Sequence, residues 1–126
     1  MNVLVVEDHD LQRKLADHVL SASGHSVVSA SDVKSALESI PEQRPDVILL
    51  DLSLPEKDGL QFLRLLKADS TMSDIPVVAI TSFPERYSRA AATRAGCDAY
   101  LTKPVSTRAL PGIVEEAARK PGPASP

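Results

Sequence analysis

Arg44-Pro45-Asp46-Val47-Ile48-Leu49-Leu50-Asp51-Leu52-Ser53-Leu54-Pro55 is the stretch that decides the fold. Four consecutive aliphatic residues, Val47 to Leu50, end at a carboxylate, and a proline follows four positions after it. An unbroken branched-aliphatic run of this length reads as a strand buried on both faces, as in parallel sheets. Pro55 and Asp58-Gly59 stop the strand and open a turn. Asp51 is therefore expected where a buried strand leaves the core. One aspartate in such a place is most simply a loop cap, but other strands of this chain end in a related way.

Val3 to Val6 runs into Glu7-Asp8, Val77 to Ile80 into Thr81-Ser82, and Ala99 to Thr102 into Lys103-Pro104. His25 to Ala30, with Val27 and Val28, is a short second strand. Between the strands the apolar spacing becomes helical. Leu11, Leu15 and Val19 predict a first helix stopped by Gly24, and Val33, Ala36, Leu37 and Ile40 a second capped by Ser31. Pro41 and Pro45 then bracket a polar connection into the Asp51 strand. A third helix is expected over 59–68, and a weakly anchored fourth over 84–95, with Tyr87 its one large apolar residue and Gly96 its stop. The last runs on Leu110, Ile113, Val114 and Ala117. Pro111 lies inside that span, so this helix is expected to start late or to kink. Strand-helix alternation five times over calls for an α/β fold, a parallel sheet covered on both faces through right-handed crossovers. Residues 1–120 read as one domain and 121–126 as a flexible Pro-rich tail.

Composition narrows the function. The chain carries 14 Lys+Arg against 17 Asp+Glu and only four aromatics, which disfavours a nucleic-acid face or a base-stacking platform. Its one cysteine, Cys97, excludes an internal disulfide. No apolar run approaches the about 18 residues of a membrane span, and no basic region precedes the first strand, so a soluble cytoplasmic domain without membrane contact is expected.

In a parallel sheet, Glu7-Asp8, Asp51, Thr81 and Lys103 all fall on one edge, where open α/β sheets bind ligands. Three gathered carboxylates repel one another unless they take up protons or a cation. An acid-rich oxygen set suits Mg²⁺, Lys103 adds a fixed positive charge, and Thr81 adds a hydroxyl. Together they form a receptor for a phosphoryl group, and a carboxylate in it can act as nucleophile. Each element alone is common in ordinary turns; the combination at four strand ends is not.

From Val3 to about Ala118 the chain resembles the receiver domain of two-component response regulators. The resemblance rests on Val5-Val6-Glu7-Asp8, on 46–55 with Asp58-Gly59, on 75–82, and on 96–104. It implies a flavodoxin-like doubly wound fold of five strands in the order 2-1-3-4-5. It implies Asp51 as phosphoacceptor, with Mg²⁺ held by Asp8 directly, by Glu7 through water, and by Asp51 and the Ser53 backbone carbonyl. Lys103 would pair with the phosphoryl group, Thr81 and Tyr100 would be the switch residues, and the Lys103-Pro104 bond would be cis. A sensor histidine kinase or histidine phosphotransfer protein would be the donor. A downstream protein would bind the face made by helix 4, strand 5 and helix 5. Such a module is not an enzyme beyond its own phosphorylation and dephosphorylation. Ser82 stands where alanine or glycine is commoner, which narrows access to the site.

Three rival readings are weaker. A phosphatase of the haloacid-dehalogenase type needs a second acid two residues past its nucleophile, where this chain has Ser53, and a cap for which 126 residues leave little room. A flavodoxin needs a phosphate-cradling loop after the first strand, where Glu7-Asp8 would repel phosphate. A docking-only receiver usually lacks one of the acids or the lysine, and here none is missing.

Overall fold

The structure is a computed structural model and describes residues 1–54 and 58–119. Pro55, expected to end the Asp51 strand, and the expected tail over 121–126 lie outside the described residues. The element order is β1 (Asn2–Val6), α1 (Asp10–Ala22), β2 (Ser26–Ala30), α2 (Val33–Glu42), β3 (Val47–Asp51), α3 (Gly59–Ala68), β4 (Val77–Thr81), α4 (Arg89–Ala95), β5 (Ala99–Thr102) and α5 (Leu110–Arg119). The strands form one sheet in the order β2-β1-β3-β4-β5, every pairing parallel, as the resemblance implied.

Alternation along the strands divides the core in two. Leu4, Val6, Ile48, Leu50, Val77 and Ala79 face one layer with residues of α2, α3 and α4. Val3, Val5, Val47, Leu49, Val78 and Ile80 face the other with Leu20 of α1 and Leu110, Val114 and Ala117 of α5. The central strands are buried on both sides, which is why their sequences lack polar alternation. Register sets Val6 beside Leu50, Asp51 beside Ile80, and Thr81 beside Thr102, so the carboxyl ends of β1, β3, β4 and β5 are level. Asp51 and Thr81 are the last residues of their strands; Glu7 and Lys103 directly follow theirs.

The helices differ from expectation in three places. The face of α1 is not Leu11-Leu15-Val19: Leu11 is 84% and Leu15 50% exposed, and Leu20 is the buried anchor. Steps of four drift about 40° per repeat around a helix of 3.6 residues per turn. The stripe nearest the sheet is instead Arg13, Ala16, Asp17 and Leu20. Arg13 is on it because its guanidinium donates to the Glu7 and Asp8 carbonyls and to Asp10. Leu15 and Val19 line a cavity of ≈ 370 Å³ with Val105, Thr107 and Leu110, and Glu7, Gln12 and Lys103 also border it. The cap of α2 is Asp32, not Ser31: its carboxylate accepts the Ser35 N–H at 2.8 Å. That helix also runs through Pro41 to Glu42, the proline falling in its last turn.

The third difference is α4, which spans only Arg89–Ala95. Ser88, in extended backbone, caps it by accepting the Ala91 N–H, so Tyr87 precedes the helix. Residues 83–87 form a turn closed by the Arg86 and Tyr87 N–H groups on the Phe83 carbonyl. Helix α5 follows expectation: it starts at Leu110 and so puts Pro111 in its first turn, where a missing N–H leaves no bond unmade. The late start was the expected alternative to a kink. Lys103-Pro104 is cis.

Candidate functional site

The site lies at the carboxyl edge of the sheet, and Lys103 ties it together. Its ammonium donates to Glu7 Oε1 at 2.7 Å, to Asp51 Oδ2 at 2.9 Å, and to the Gln12 side-chain carbonyl. Glu7 and Asp51 are buried, Asp51 being 1% exposed. The second Asp51 oxygen accepts the Ser53 N–H at 2.8 Å, which fixes the carboxylate's plane. Thr81, fully buried, accepts the Phe83 N–H on its hydroxyl at 2.9 Å.

The approach of α3 to the loop after Asp51 depends on Gly59. Its N–H donates to the Leu52 carbonyl at 3.0 Å. A Cβ there would sit 2.4 Å from Leu52 Cα, inside any real contact. Asp58 caps the same helix by accepting the Leu60 N–H. The Asp58-Gly59 pair seen in the sequence is thus a cap followed by the one residue small enough to let the helix dock.

The electrostatics follow from burial and charge. Burial pushes the Glu7 carboxyl up, and the Asp51 bond and charge push it further than Lys103 pulls it back. Burial acts on Asp51 in the same sense, but bonds from Glu7, the Ser53 N–H and Lys103 outweigh it and hold Asp51 low. Burial disfavours the Lys103 cation, yet the bonds to Glu7 and Asp51 outweigh that and raise it. Two carboxylates share one lysine, and their repulsion makes a proton easier to hold on Glu7 and harder to hold on Asp51. Asp51 is left ionised, as a nucleophile must be.

Donor atoms of Glu7, Asp8, His9 and Asp51 all lie within 4.8 Å of one another. Among the described residues, Asp8 Oδ1 and Ser53 Oγ are buried without a hydrogen-bond partner. An orphaned carboxylate oxygen inside an oxygen-rich cluster is donor chemistry suited to a hard divalent ion. The residues present fit Mg²⁺.

The expected residues are thus brought to one edge: Glu7, Asp8, Asp51 and Lys103 as a contiguous cluster, Ser53 bonded to it, and Thr81 one strand away. Tyr100, also buried, donates its hydroxyl to the Tyr87 carbonyl, and the Arg89 guanidinium lies over its ring at 4.9 Å. The sequence reading missed His9 and Gln12. His9 is legible only as a neighbour of the acid pair, and Gln12 only as a polar residue of α1; its reach to Lys103 spans 91 positions.

The residue range 3–115 matches the family model described as the response regulator receiver domain. The chain belongs to the response regulator receiver family. It is 38% identical over 114 residues to the polar-differentiation response regulator DivK of Brucella anthropi, covering 90% of each chain. The receiver fold is also that of the Francisella response regulator 1452 receiver domain, at 27% identity and a TM-score of 0.84 over 94% of this chain and 96% of that one. The phosphorylated cyanobacterial phytochrome response regulator RcpA is similar too, at 28% identity and 0.83 over 98% of both chains. This receiver is therefore a two-component signalling module, and among its described residues no helix is long and apolar enough to cross a membrane.

Proposed function

We propose that this receiver accepts a phosphoryl group on Asp51 from a phosphohistidine and reports it through the face of α4, β5 and α5. The observation that carries the reading is the Lys103 ammonium bonded to both Glu7 and Asp51 beside an unpartnered Asp8 oxygen. An ionised, low-pKa Asp51 attacks phosphorus, the bond from phosphorus to the donor breaks, and an acyl phosphate forms. Lys103 turns from the carboxylates to the new phosphoryl oxygens. Mg²⁺, held by Asp8, Asp51, the Ser53 carbonyl and, through water, Glu7, would supply charge neutralisation for the incoming oxygens. The donor is a histidine kinase or histidine phosphotransfer protein. Leu11 and Leu15, exposed on the helix that follows the acid pair, offer an apolar surface for it to grip.

The output route follows hydrogen bonds. Thr81 Oγ1 accepts the Phe83 N–H, the Phe83 carbonyl accepts the Tyr87 N–H, and the Tyr87 carbonyl accepts the Tyr100 hydroxyl. Turning the Thr81 hydroxyl to a phosphoryl oxygen gives up the first bond and loosens the turn over 83–87. The Tyr100 ring is already inward in this structure. The change at the output face is therefore a shift of that turn and of short, alanine-rich α4.

Incubation with acetyl phosphate and Mg²⁺, read by intact mass, tests the reading. One acid-labile phosphoryl group is expected. Steady release of phosphate would instead favour a phosphatase, and no adduct at all would leave a docking module.

A further inference from the structure

We infer that Gln12 is a positioning residue for Lys103, the partner that keeps the ammonium over Asp51 throughout phosphoryl transfer. The inference rests on the reading of Asp51 as phosphoacceptor and deepens it.

An ammonium has three N–H donors and no acceptor. Those of Lys103 go to Glu7 Oε1 at 2.7 Å, to Asp51 Oδ2 at 2.9 Å and to the Gln12 side-chain carbonyl. The three acceptors stand on different elements: Glu7 directly after β1, Asp51 at the end of β3, and Gln12 in the first turn of α1. The Lys103 side chain is 13% exposed, which leaves little room for water to serve the third N–H. Gln12 is itself exposed, with water freely available to its carboxamide, yet its carbonyl is turned onto the ammonium.

The other two acceptors both change during the reaction. Asp51 gives an oxygen lone pair to phosphorus, and the pair that bonded phosphorus to the donor leaves with the donor. Asp51 is then an acyl phosphate without its own negative charge. Glu7 belongs to the oxygen set that fits the divalent ion. The Gln12 carbonyl is neutral, makes and breaks no bond to phosphorus, and lies outside that set. Its bond to Lys103 therefore persists while the ammonium moves from the carboxylates to the phosphoryl oxygens. Lysine is a compact charge on a flexible four-carbon stem, so one acceptor fixed on a helix turns that movement into a short pivot.

The test compares the native chain with Gln12→Met, Gln12→Glu and His18→Gln, the last an exposed control on α1. Methionine keeps the length and removes the strong acceptor, whereas glutamate keeps an acceptor oxygen at the same reach. The rate of labelling by acetyl phosphate with Mg²⁺ is followed by intact mass. Nitrogen relaxation of the lysine ammonium groups reports the mobility of Lys103 in the metal-free chain. Gln12→Met should lower the maximal rate about threefold to tenfold, the worth of one exposed hydrogen bond. The acetyl phosphate concentration giving half that rate should not change, and the Lys103 ammonium should become mobile. Gln12→Glu should restore both rate and restraint, and His18→Gln should match the native chain. A native rate in Gln12→Met, or a Lys103 ammonium still restrained there, would overturn the inference alone. A loss that Gln12→Glu does not recover would also overturn it, since the acceptor oxygen would then not be what matters. A native chain that takes no phosphoryl group on Asp51 would overturn the proposed function itself.

Discussion

Glu7 is the residue on which stability and function pull apart. A carboxyl whose folded pKa is raised destabilises the fold at pH values above its ordinary pKa, because folding then means holding a charge where charge is disfavoured. Glu7→Gln is therefore expected to raise the melting temperature of the metal-free protein at neutral pH. The gain should vanish below the ordinary glutamate range, where the carboxyl is protonated in both states. The same change should weaken Mg²⁺ binding; calorimetry with and without the ion separates the two effects. Gly59 is the opposite case, a residue whose smallness serves the site. Gly59→Ala forces a Cβ onto the Leu52 backbone and should cost about 1–3 kcal/mol by overpacking. Denaturant unfolding measures it, and a neutral result would mean that α3 docks less closely than described. The carboxylates, Lys103 and Thr81 were legible because each ends an apolar run. His9 and Gln12 were not, because side-chain direction at a helix start depends on how the helix is rolled.

That roll is a property of α1 as an element, and it is where reading by spacing failed. Leu11, Leu15 and Val19 form a plausible stripe on paper, but Leu20 and Ala16 hold the helix to the sheet while Arg13 binds the carbonyls after β1. Leu20→Ala is expected to cost about 2–5 kcal/mol, and Leu11→Ala no more than about 0.5 kcal/mol. Equal losses in urea unfolding would restore the paper stripe. The exposed pair has a second consequence. Leu15→Arg should slow phosphoryl transfer from a protein donor while leaving labelling by acetyl phosphate intact, since only the protein donor needs the surface. The length of α4 was misjudged for a local reason: Ser88 offers a cap that ends the run of helical residues early, and composition alone does not reveal it. The late start of α5 was foreseen because the backbone constraint of Pro111 is carried by the residue itself.

Across the whole molecule, four level strand ends convert a one-dimensional pattern into a site, and that conversion was visible in advance. Buried parallel strands announce themselves by unbroken aliphatic runs, and parallel pairing leaves one edge on which their carboxyl ends meet. The proposed switching is also a property of the whole, since the bonds from Thr81 to Tyr100 cross from β4 to β5 through the turn over 83–87. Beryllofluoride with Mg²⁺ should therefore shift amides from Phe83 to Tyr100 as well as those around Asp51. Shifts confined to the acid cluster would show that this face carries no signal. The acyl phosphate should persist for minutes or longer, because neither Ser53 nor Phe83, two residues past Asp51 and Thr81, brings a carboxylate or carboxamide to orient water. Decay within seconds in Mg²⁺ would contradict that.

The central claim is that Asp51 is the nucleophile. Borohydride reduces an aspartyl phosphate to homoserine, which marks the reacting residue in the peptide sequence. After acetyl phosphate and Mg²⁺, homoserine is expected at position 51 of the native chain, and none should form in Asp51→Asn. Homoserine at position 8 or 46, or undiminished labelling of the Asp51→Asn chain, would contradict the account.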